Sequence, residues 1–335
     1  MKLSKNVALY LSTILLCFSL AAYAQIPRSG HVVLVIEENT SFQTTVDNMP
    51  WLVGQGNTNA FATNYKTNSS GSMLAYLWLS SGSCHADPLT EDCHLPDGTL
   101  QLPDGTHQFG CTGDGCSGIG VITDDSIFAE LDSAQPAITW KVYAESLPFV
   151  GSTDLEVGYY VARHNPAVWY NIINSNAGNV VPFEDQNVGF AADLANGTLP
   201  TYSIIIPNLV DDAHNCPNGG DASTCLASDR VGQADAWLAN NLANAPNALL
   251  SQPFFQPGGD GLLIITFDNG DDDAAGLVYT AVIGPQVRNT SSNTFYQHHN
   301  TLRTICDALG VGIVPGTTGC PGLAGGSTTG LTDFF

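Results

Sequence analysis

The chain has 335 residues, of which 31 are acidic and only nine are Lys or Arg, so its formal net charge at pH 7 is −22. A surface this negative repels nucleic acid and anionic membranes, so neither is expected as a general partner. An anionic substrate would have to be attracted locally, by a metal ion or by one of the few basic side chains.

Residues 1–24 have the pattern of a secretory signal peptide. Two lysines precede an apolar segment from Val7 to Ala22, and Ala22-Tyr-Ala24 has the small residues of a cleavage site. We therefore expect residues 25–335 to be a single secreted or periplasmic domain. No later segment is apolar enough to span a bilayer, so stable membrane insertion is not expected.

Eight cysteines follow residue 24, an even number that predicts disulfides in an exported protein. The segment 84–118 holds four of them and contains Pro-Asp-Gly twice, which predicts a disulfide-closed surface excursion built from turns. Proximity in the sequence favours the pairs Cys84–Cys93, Cys111–Cys116, Cys216–Cys225 and Cys306–Cys320.

Short apolar runs alternate with segments of helical periodicity along the chain. Strands are predicted at Val32–Ile36, Ala137–Tyr143, Tyr202–Ile206, Leu262–Phe267 and Val278–Ile283, and helices at Asp125–Ser133, Asp229–Ala243 and Thr301–Leu309. This alternation predicts an α/β fold, with a largely parallel central sheet and helices on both faces.

Polar side chains gather after several predicted strands. Parallel strands bring their carboxyl ends to one edge of a sheet, so we expect these side chains to converge there. They are Glu38 and Asn39, Glu145 with Arg163 and His164, Asp212 and His214, and Asp268 and Asn269, joined by His298 and His299 before the last helix.

Glu38 and Asn39 follow the most apolar of these strands. A carboxylate beside a carboxamide offers two hard oxygen donors, which suit a divalent cation. The alternative is that Glu37 and Glu38 simply form the solvated end of a strand.

Ser72 stands where a polar loop enters an apolar helix. Gly71 allows a tight turn, and the free amides of a first helical turn favour an anion. A serine hydroxyl at that position becomes a nucleophile if a nearby cation favours its alkoxide. The alternative is an ordinary serine cap of a helix.

These motifs resemble the phosphoesterase family that contains bacterial acid phosphatases and phospholipases C, a family similar in fold to the alkaline phosphatase superfamily. The smaller, phosphatase-type members fit best, and some of them act on phosphatidylinositol 3-phosphate. The matching segments run in family order: Val35-Ile-Glu-Glu-Asn-Thr-Ser-Phe42, Trp140-Lys-Val-Tyr-Ala-Glu145, Arg163-His-Asn-Pro166, Pro207-Asn-Leu-Val-Asp-Asp-Ala-His214, Ile265-Thr-Phe-Asp268 and Leu302-Arg-Thr-Ile-Cys-Asp307.

The resemblance assigns roles to individual residues. Ser72 falls at the family's serine nucleophile, and Glu38, Asn39, Asp268 and Asn269 fall at or beside metal ligands that would hold one cation with it. Asp212, His214 and His298 would hold a second cation or orient the leaving oxygen and water, with His214 and His298 as further catalytic residues. Independently of the resemblance, Arg163 and His164 are candidate phosphate contacts, because they supply the positive charge that this acidic chain otherwise lacks.

The chain departs from the family pattern at three positions. The His-Pro before the nucleophile is Ser70-Gly71, the Asn after it is Ala75, and the acidic residue after Asp268 is Asn269. Loss of that acid removes one negative charge from the expected metal site, which is expected to lower its cation affinity or change its choice of metal.

The sequence thus predicts a secreted, metal-dependent phosphomonoesterase acting on a small phosphoester or a phosphoinositide. Calcium, magnesium or manganese is expected at the oxygen ligands, and zinc suits the histidine side. Two alternatives stay open: a phospholipase C-type phosphodiesterase, and an inert calcium-stabilised binding domain.

Overall fold

A computed structural model describes residues 25–69, 71–83, 99–101, 108–112, 115–116, 122–123, 125–271 and 276–335. The predicted signal peptide, residues 1–24, and most of the predicted excursion, residues 84–118, lie outside the described residues. Within that excursion the backbone of three short strands is described.

The secondary structure alternates strands and helices along most of the chain. The strands are β1 (Val32–Glu37), β2 (Ala60–Ala62), β3 (Thr99–Gln101), β4 (Gln108–Thr112), β5 (Gly115–Cys116), β6 (Trp140–Ala144), β7 (Glu156–Val157), β8 (Tyr160–Val161), β9 (Val180–Pro182), β10 (Tyr202–Ile206), β11 (Leu262–Phe267), β12 (Thr280–Ile283) and β13 (Thr290–Ser292). The helices are α1 (Phe42–Asn48), α2 (Pro50–Thr58), α3 (Ser72–Ser81), α4 (Ile127–Ser133), α5 (Ile173–Asn176), α6 (Phe190–Asn196), α7 (Ala227–Ala239) and α8 (His298–Leu309).

The main sheet has eight strands in the order β13-β2-β12-β11-β1-β10-β6-β9. The run β11-β1-β10-β6-β9 is parallel throughout, which confirms the predicted largely parallel α/β sheet. β12 runs antiparallel to both β11 and β2, so the part of the sheet beyond β11 contains strands of both directions. The remaining strands form a three-stranded sheet (β3-β4-β5) and a hairpin (β7-β8).

β1 lies near the middle of the main sheet because both of its faces are apolar. The side chains from Val32 to Ile36 are completely buried. Each such aliphatic side chain stabilises the fold by roughly 1.5–3 kcal/mol relative to an exposed one. The helices that flank the sheet form two groups, and the helices of each group pack against one another. One group contains α3, α4 and α8, and the other contains α1, α2 and α7.

The starts of two predicted strands need correction, and β1 ends at Glu37 instead of Ile36. The strand predicted from Ala137 starts at Trp140, because the amide of Ile138 donates to the carbonyl of Leu131 instead of joining the ladder. The strand predicted from Val278 starts at Thr280, since the Val278 amide donates to the Tyr65 carbonyl.

The helix boundaries also differ from the predictions. α8 starts at His298 rather than Thr301, because Gln297 and Asn300 form a capping box in which the Gln297 amide donates to Asn300 Oδ1 at 2.7 Å. α4 starts at Ile127 behind its Ser126 cap rather than at Asp125. α7 covers Ala227–Ala239 and continues as a π-helical turn through Asn244.

Two predicted disulfides are present, Cys216–Cys225 and Cys306–Cys320. Cys111 lies directly opposite Cys116 in the backbone ladder of β4 and β5, while Cys84 and Cys93 lie outside the described residues. Among the helices of the described ranges, none is long and apolar enough to cross a bilayer.

Candidate active site

Three neighbouring strands bring their carboxyl ends together, as the sequence predicts. β1 lies between β10 and β11, so Glu38 emerges beside the loops that carry Asp212 and Asp268. Backbone hydrogen bonds fix the three segments: the Glu38 amide donates to the Asp212 carbonyl at 2.7 Å, and the Asp268 amide donates to the Glu37 carbonyl at 2.9 Å. The carboxylates are therefore held by the sheet itself.

Ser72 faces this cluster from the first residue of α3. Its hydroxyl donates to Oε2 of Glu38 at 2.7 Å. The preceding Gly71 has φ +91°, a conformation that favours glycine, although a Cβ there would meet no atom within 4 Å. Glycine is therefore required at this turn by the backbone angle and not by space.

Asn39 and Asn269 bracket the Asp268 carboxylate. The amide of Asn39 donates to Oδ1 of Asp268 at 2.8 Å, and Nδ2 of Asn269 donates to Oδ2 at 2.8 Å. Asn39 has φ +21°, an angle uncommon for residues other than glycine, in which asparagine is enriched. Such backbone strain recurs at functional sites, where the surrounding structure holds it in place.

The carboxylates are buried and repel one another. Burial, with the charges of Asp268 and Asp212, raises the pKa of Glu38 well above its usual range. Burial raises the pKa of Asp212 to about 7 and the pKa of Asp268 to about 6. A cluster with these properties gains most from a proton or a cation placed among its oxygens.

His164 lies between two of these acids. Its Nε2 is 3.4 Å from Oε1 of Glu38, and its Nδ1 is 3.9 Å from Oδ2 of Asp212. Burial lowers the pKa of His164, and the neighbouring Arg163 and His214 lower it further, so the imidazole is neutral near pH 7. The side chain predicted to contact phosphate is thus also in contact range of the acidic cluster.

His298 approaches the cluster from the start of α8. Its Nε2 lies 3.1 Å from the carbonyl oxygen of Phe267, the residue before Asp268. Its Nδ1 is buried and has no hydrogen-bond partner among the described residues. Burial lowers the pKa of His298 to about 4, which leaves the ring neutral and able to donate a lone pair.

The donor set suits a divalent cation, although within the described ranges no three His, Cys, Asp or Glu side chains are already arranged to hold a metal ion. The fit rests on amide as well as carboxylate donors. Four buried oxygens at this edge have no hydrogen-bond partner among the described residues: Glu38 Oε1, Asn39 Oδ1, Asp212 Oδ2 and Asn269 Oδ1. Unpartnered oxygens among buried acids are what a hard cation would satisfy.

Most of the residues singled out from the sequence lie at this edge. Glu38, Asn39, Ser72, His164, Asp212, Asp268, Asn269 and His298 are held by the contacts described above. The backbone amide of His214 donates to Oδ1 of Asp212 at 2.9 Å. Arg163 precedes His164 directly after β8. Its positive charge partly offsets the rise in the pKa of Asp212 that burial causes.

Tyr76 also belongs to this site, although sequence reasoning did not single it out as functional. It is completely buried, and its ring is parallel to that of His164 with centroids 5.6 Å apart. The signal was its spacing: four residues after Ser72, it lies on the same face of α3.

A family model described as the phosphoesterase family matches residues 57–312. A phosphatidylinositol-3-phosphatase of Mycobacterium tuberculosis is 28% identical over 292 residues, which cover 87% of this chain and 80% of the relative. An acid phosphatase of Aspergillus fumigatus is 26% identical over 180 residues, and this match covers 50% of the chain but only 36% of the fungal protein.

Solved structures of the same architecture have much lower sequence identity. A protein of the alkaline phosphatase superfamily from Vibrio parahaemolyticus superposes with a TM-score of 0.53 and 13% identity, covering 86% of this chain and 68% of that one. A lipoteichoic acid synthase from Listeria monocytogenes gives a TM-score of 0.52 and 12% identity, covering 89% and 75%. These similarities establish the fold.

Proposed function

The chain belongs to the phosphoesterase family and is a phosphoric ester hydrolase, and on that premise we propose that it is a metal-dependent phosphomonoesterase with Ser72 as nucleophile. One observation carries the proposal. The Ser72 hydroxyl, at the start of a helix, donates to Oε2 of the buried Glu38 at 2.7 Å, so its proton already faces a carboxylate oxygen.

In the first step, Oγ of Ser72 attacks phosphorus in line with the ester oxygen. The Ser72 proton passes to Oε2 of Glu38, the P–O bond to the leaving group breaks, and the alcohol departs after taking up a proton. The product is a phosphoserine at position 72. The positive end of the α3 helix dipole, at its amino terminus, favours the anionic phosphoryl group.

In the second step, water attacks the phosphoserine and releases inorganic phosphate, and the Ser72 oxygen regains a proton. Asp212, His214 and His298 are proposed to orient this water and the leaving oxygen. The buried rings of His164 and His298 are neutral, so each offers a lone pair as well as an N–H group.

Glu38, Asn39, Asp268, Asn269 and Ser72 would hold a divalent cation, and Asp212, His214 and His298 a second one. A bound cation would supply Lewis-acid stabilisation of the phosphoryl charge and favour the serine alkoxide. Calcium, magnesium or manganese suits the oxygen ligands, and zinc suits the histidines.

The proposed substrate class is a small phosphomonoester or the phosphate of a phosphoinositide headgroup. The Mycobacterium tuberculosis relative, named a phosphatidylinositol-3-phosphatase, supports the second option. We further propose that the protein is exported and loses residues 1–24, since the two described disulfides are typical of proteins from oxidising compartments.

The test compares 4-nitrophenyl phosphate, bis(4-nitrophenyl) phosphate, inositol 3-phosphate and phosphatidylinositol 3-phosphate in mixed micelles. We expect hydrolysis of the monoesters, abolished by Ser72→Ala. A faster reaction with the diester would instead identify a phospholipase C-type phosphodiesterase. Absence of turnover with all four substrates after reconstitution with calcium, magnesium, manganese and zinc would favour an inert binding domain.

A further inference from the structure

The hydroxyl group of Tyr76 is a buried donor without a hydrogen-bond partner among the described residues. The side chain is completely buried, and burial together with the charge of the nearby Glu38 carboxylate raises the pKa of its hydroxyl. A buried polar group that makes no hydrogen bond is costly, so native proteins rarely keep one without a reason.

The complementary atom lies in the same site. Oε1 of Glu38 is also buried and unpartnered among the described residues, while its Oε2 accepts the Ser72 hydroxyl at 2.7 Å. Nε2 of His164 lies 3.4 Å from Oε1. The site therefore holds one unsatisfied donor and one unsatisfied acceptor, and the two lone pairs of Oε1 allow it to accept from Tyr76 as well as to face a cation.

We propose that Tyr76 is a positioning residue that donates its hydroxyl to Oε1 of Glu38 during turnover and so keeps Oε2 directed at Ser72. This inference rests on the proposed function of Ser72 and adds a residue to it. Ser72 and Tyr76 occupy the same face of α3, so one rigid helix presents both hydroxyls to the two oxygens of a single carboxylate.

The hydroxyls of other buried tyrosines are either hydrogen-bonded or unpartnered away from the site. The hydroxyl of Tyr65 bonds to Thr301 at 2.8 Å, and that of Tyr143 donates to Asp193 at 2.6 Å. Tyr202 is the useful comparison, because its hydroxyl is also buried and unpartnered among the described residues. It begins β10, at the opposite end of that strand from the site loops.

The experiment compares the wild type with Tyr76→Phe and Tyr202→Phe, using 4-nitrophenyl phosphate. Both changes delete one buried hydroxyl and keep the ring. For Tyr76→Phe we expect kcat to fall by roughly 10- to 100-fold, and the rate of phosphoserine formation, measured by acid quench, to fall equally. A loss of this size corresponds to one hydrogen bond to a charged group. KM should stay within about twofold, because the tyrosine acts on the nucleophile's partner.

The stability of the two variants distinguishes a positioning role of Tyr76 from a purely structural one. Removing an unpartnered hydroxyl should leave the urea midpoint of Tyr76→Phe unchanged or higher, and Tyr202→Phe should match the wild type in kcat. An unchanged kcat in Tyr76→Phe, an equal loss in Tyr202→Phe, or a loss that follows a lowered midpoint would overturn the inference. A wild type inactive on every monoester would instead refute the proposed function.

Discussion

Ser72 donates its hydroxyl to Oε2 of Glu38 at 2.7 Å, although 34 positions separate the two residues. The contact joins the start of α3 to the end of β1, the two elements that each present a polar group to the same edge of the sheet. It brings the proposed nucleophile and its proposed proton acceptor together.

Ser72→Ala is expected to lower kcat by roughly four orders of magnitude or more, because loss of a nucleophile has effects of that size in serine hydrolases. Acid quench during wild-type turnover, followed by peptide sequencing, should locate the phosphate on Ser72. Ser69→Ala is the matched control, since this buried neighbour's hydroxyl has no partner within the described ranges and it should keep normal kcat. Phosphate on Thr40 or Ser70 would assign the nucleophile elsewhere.

Chelation is expected to abolish activity, because the unpartnered oxygens of Asn39, Asp212 and Asn269 lie in a buried acidic cluster that a divalent cation would satisfy. EDTA-treated protein should regain activity after addition of calcium, magnesium or manganese, with zinc as a comparison. Elemental analysis should accompany each assay. Full activity in a preparation that contains no metal would contradict the proposed role of the cation.

Asp235→Ala is expected to destabilise the protein by about 1–2 kcal/mol, the usual cost of losing a helix cap. α2 lacks a side-chain cap of its own, and the Asp235 carboxylate of α7 accepts from the amides of Trp51 and Leu52, each at 2.9 Å. Urea unfolding would measure the loss. The exposed Asp229, in the first turn of the same helix, is the control: Asp229→Ala should cost only a few tenths of a kcal/mol.

Glu145→Gln is expected to change how stability depends on pH. Burial raises the pKa of Glu145 to about 8, from an ordinary value of 4.5. Between these values the folded state keeps a proton that the unfolded state has lost, so the contribution of Glu145 to stability is complete below pH 4.5 and disappears as the pH rises through 8. The wild type should therefore lose stability relative to Glu145→Gln across this window.

Urea unfolding at pH 4.5, 6 and 7.5 in EDTA would measure that difference. The exposed Glu156 of β7 supplies the control, because Glu156→Gln should follow the wild type at every pH. A constant difference between wild type and Glu145→Gln over the window would show that Glu145 is already ionised in the folded protein.

Opening either described disulfide is expected to cost about 2–3 kcal/mol of stability, given the short loops they close. The catalytic effects should differ. The Cys216–Cys225 loop follows Asp212 and His214, and its Gly219 lies against Tyr159, so Cys216→Ser with Cys225→Ser should also lower kcat. Cys306→Ser with Cys320→Ser should retain kcat below its own melting temperature. Equal catalytic losses in both double variants would contradict this distinction.

The sequence by itself determined the central strands and the polar residues that follow them. The runs at Tyr202–Ile206 and Leu262–Phe267 are strands with the predicted limits. Such runs are informative because a strand buried on both faces must be apolar throughout, and polar residues can follow only where it ends. Parallel pairing then brings those ends to a common edge.

Only the tertiary structure decided which of these groups touch. The pairing of Ser72 with Glu38, the contact of His164 with two acids and the presence of Tyr76 in the site depend on how α3 and the loop after β8 lie against β1. The antiparallel direction of β12 was likewise set by its pairing with β11 and with the distant β2. Local sequence carries periodicity and burial, whereas distances between side chains far apart in the chain arise from packing.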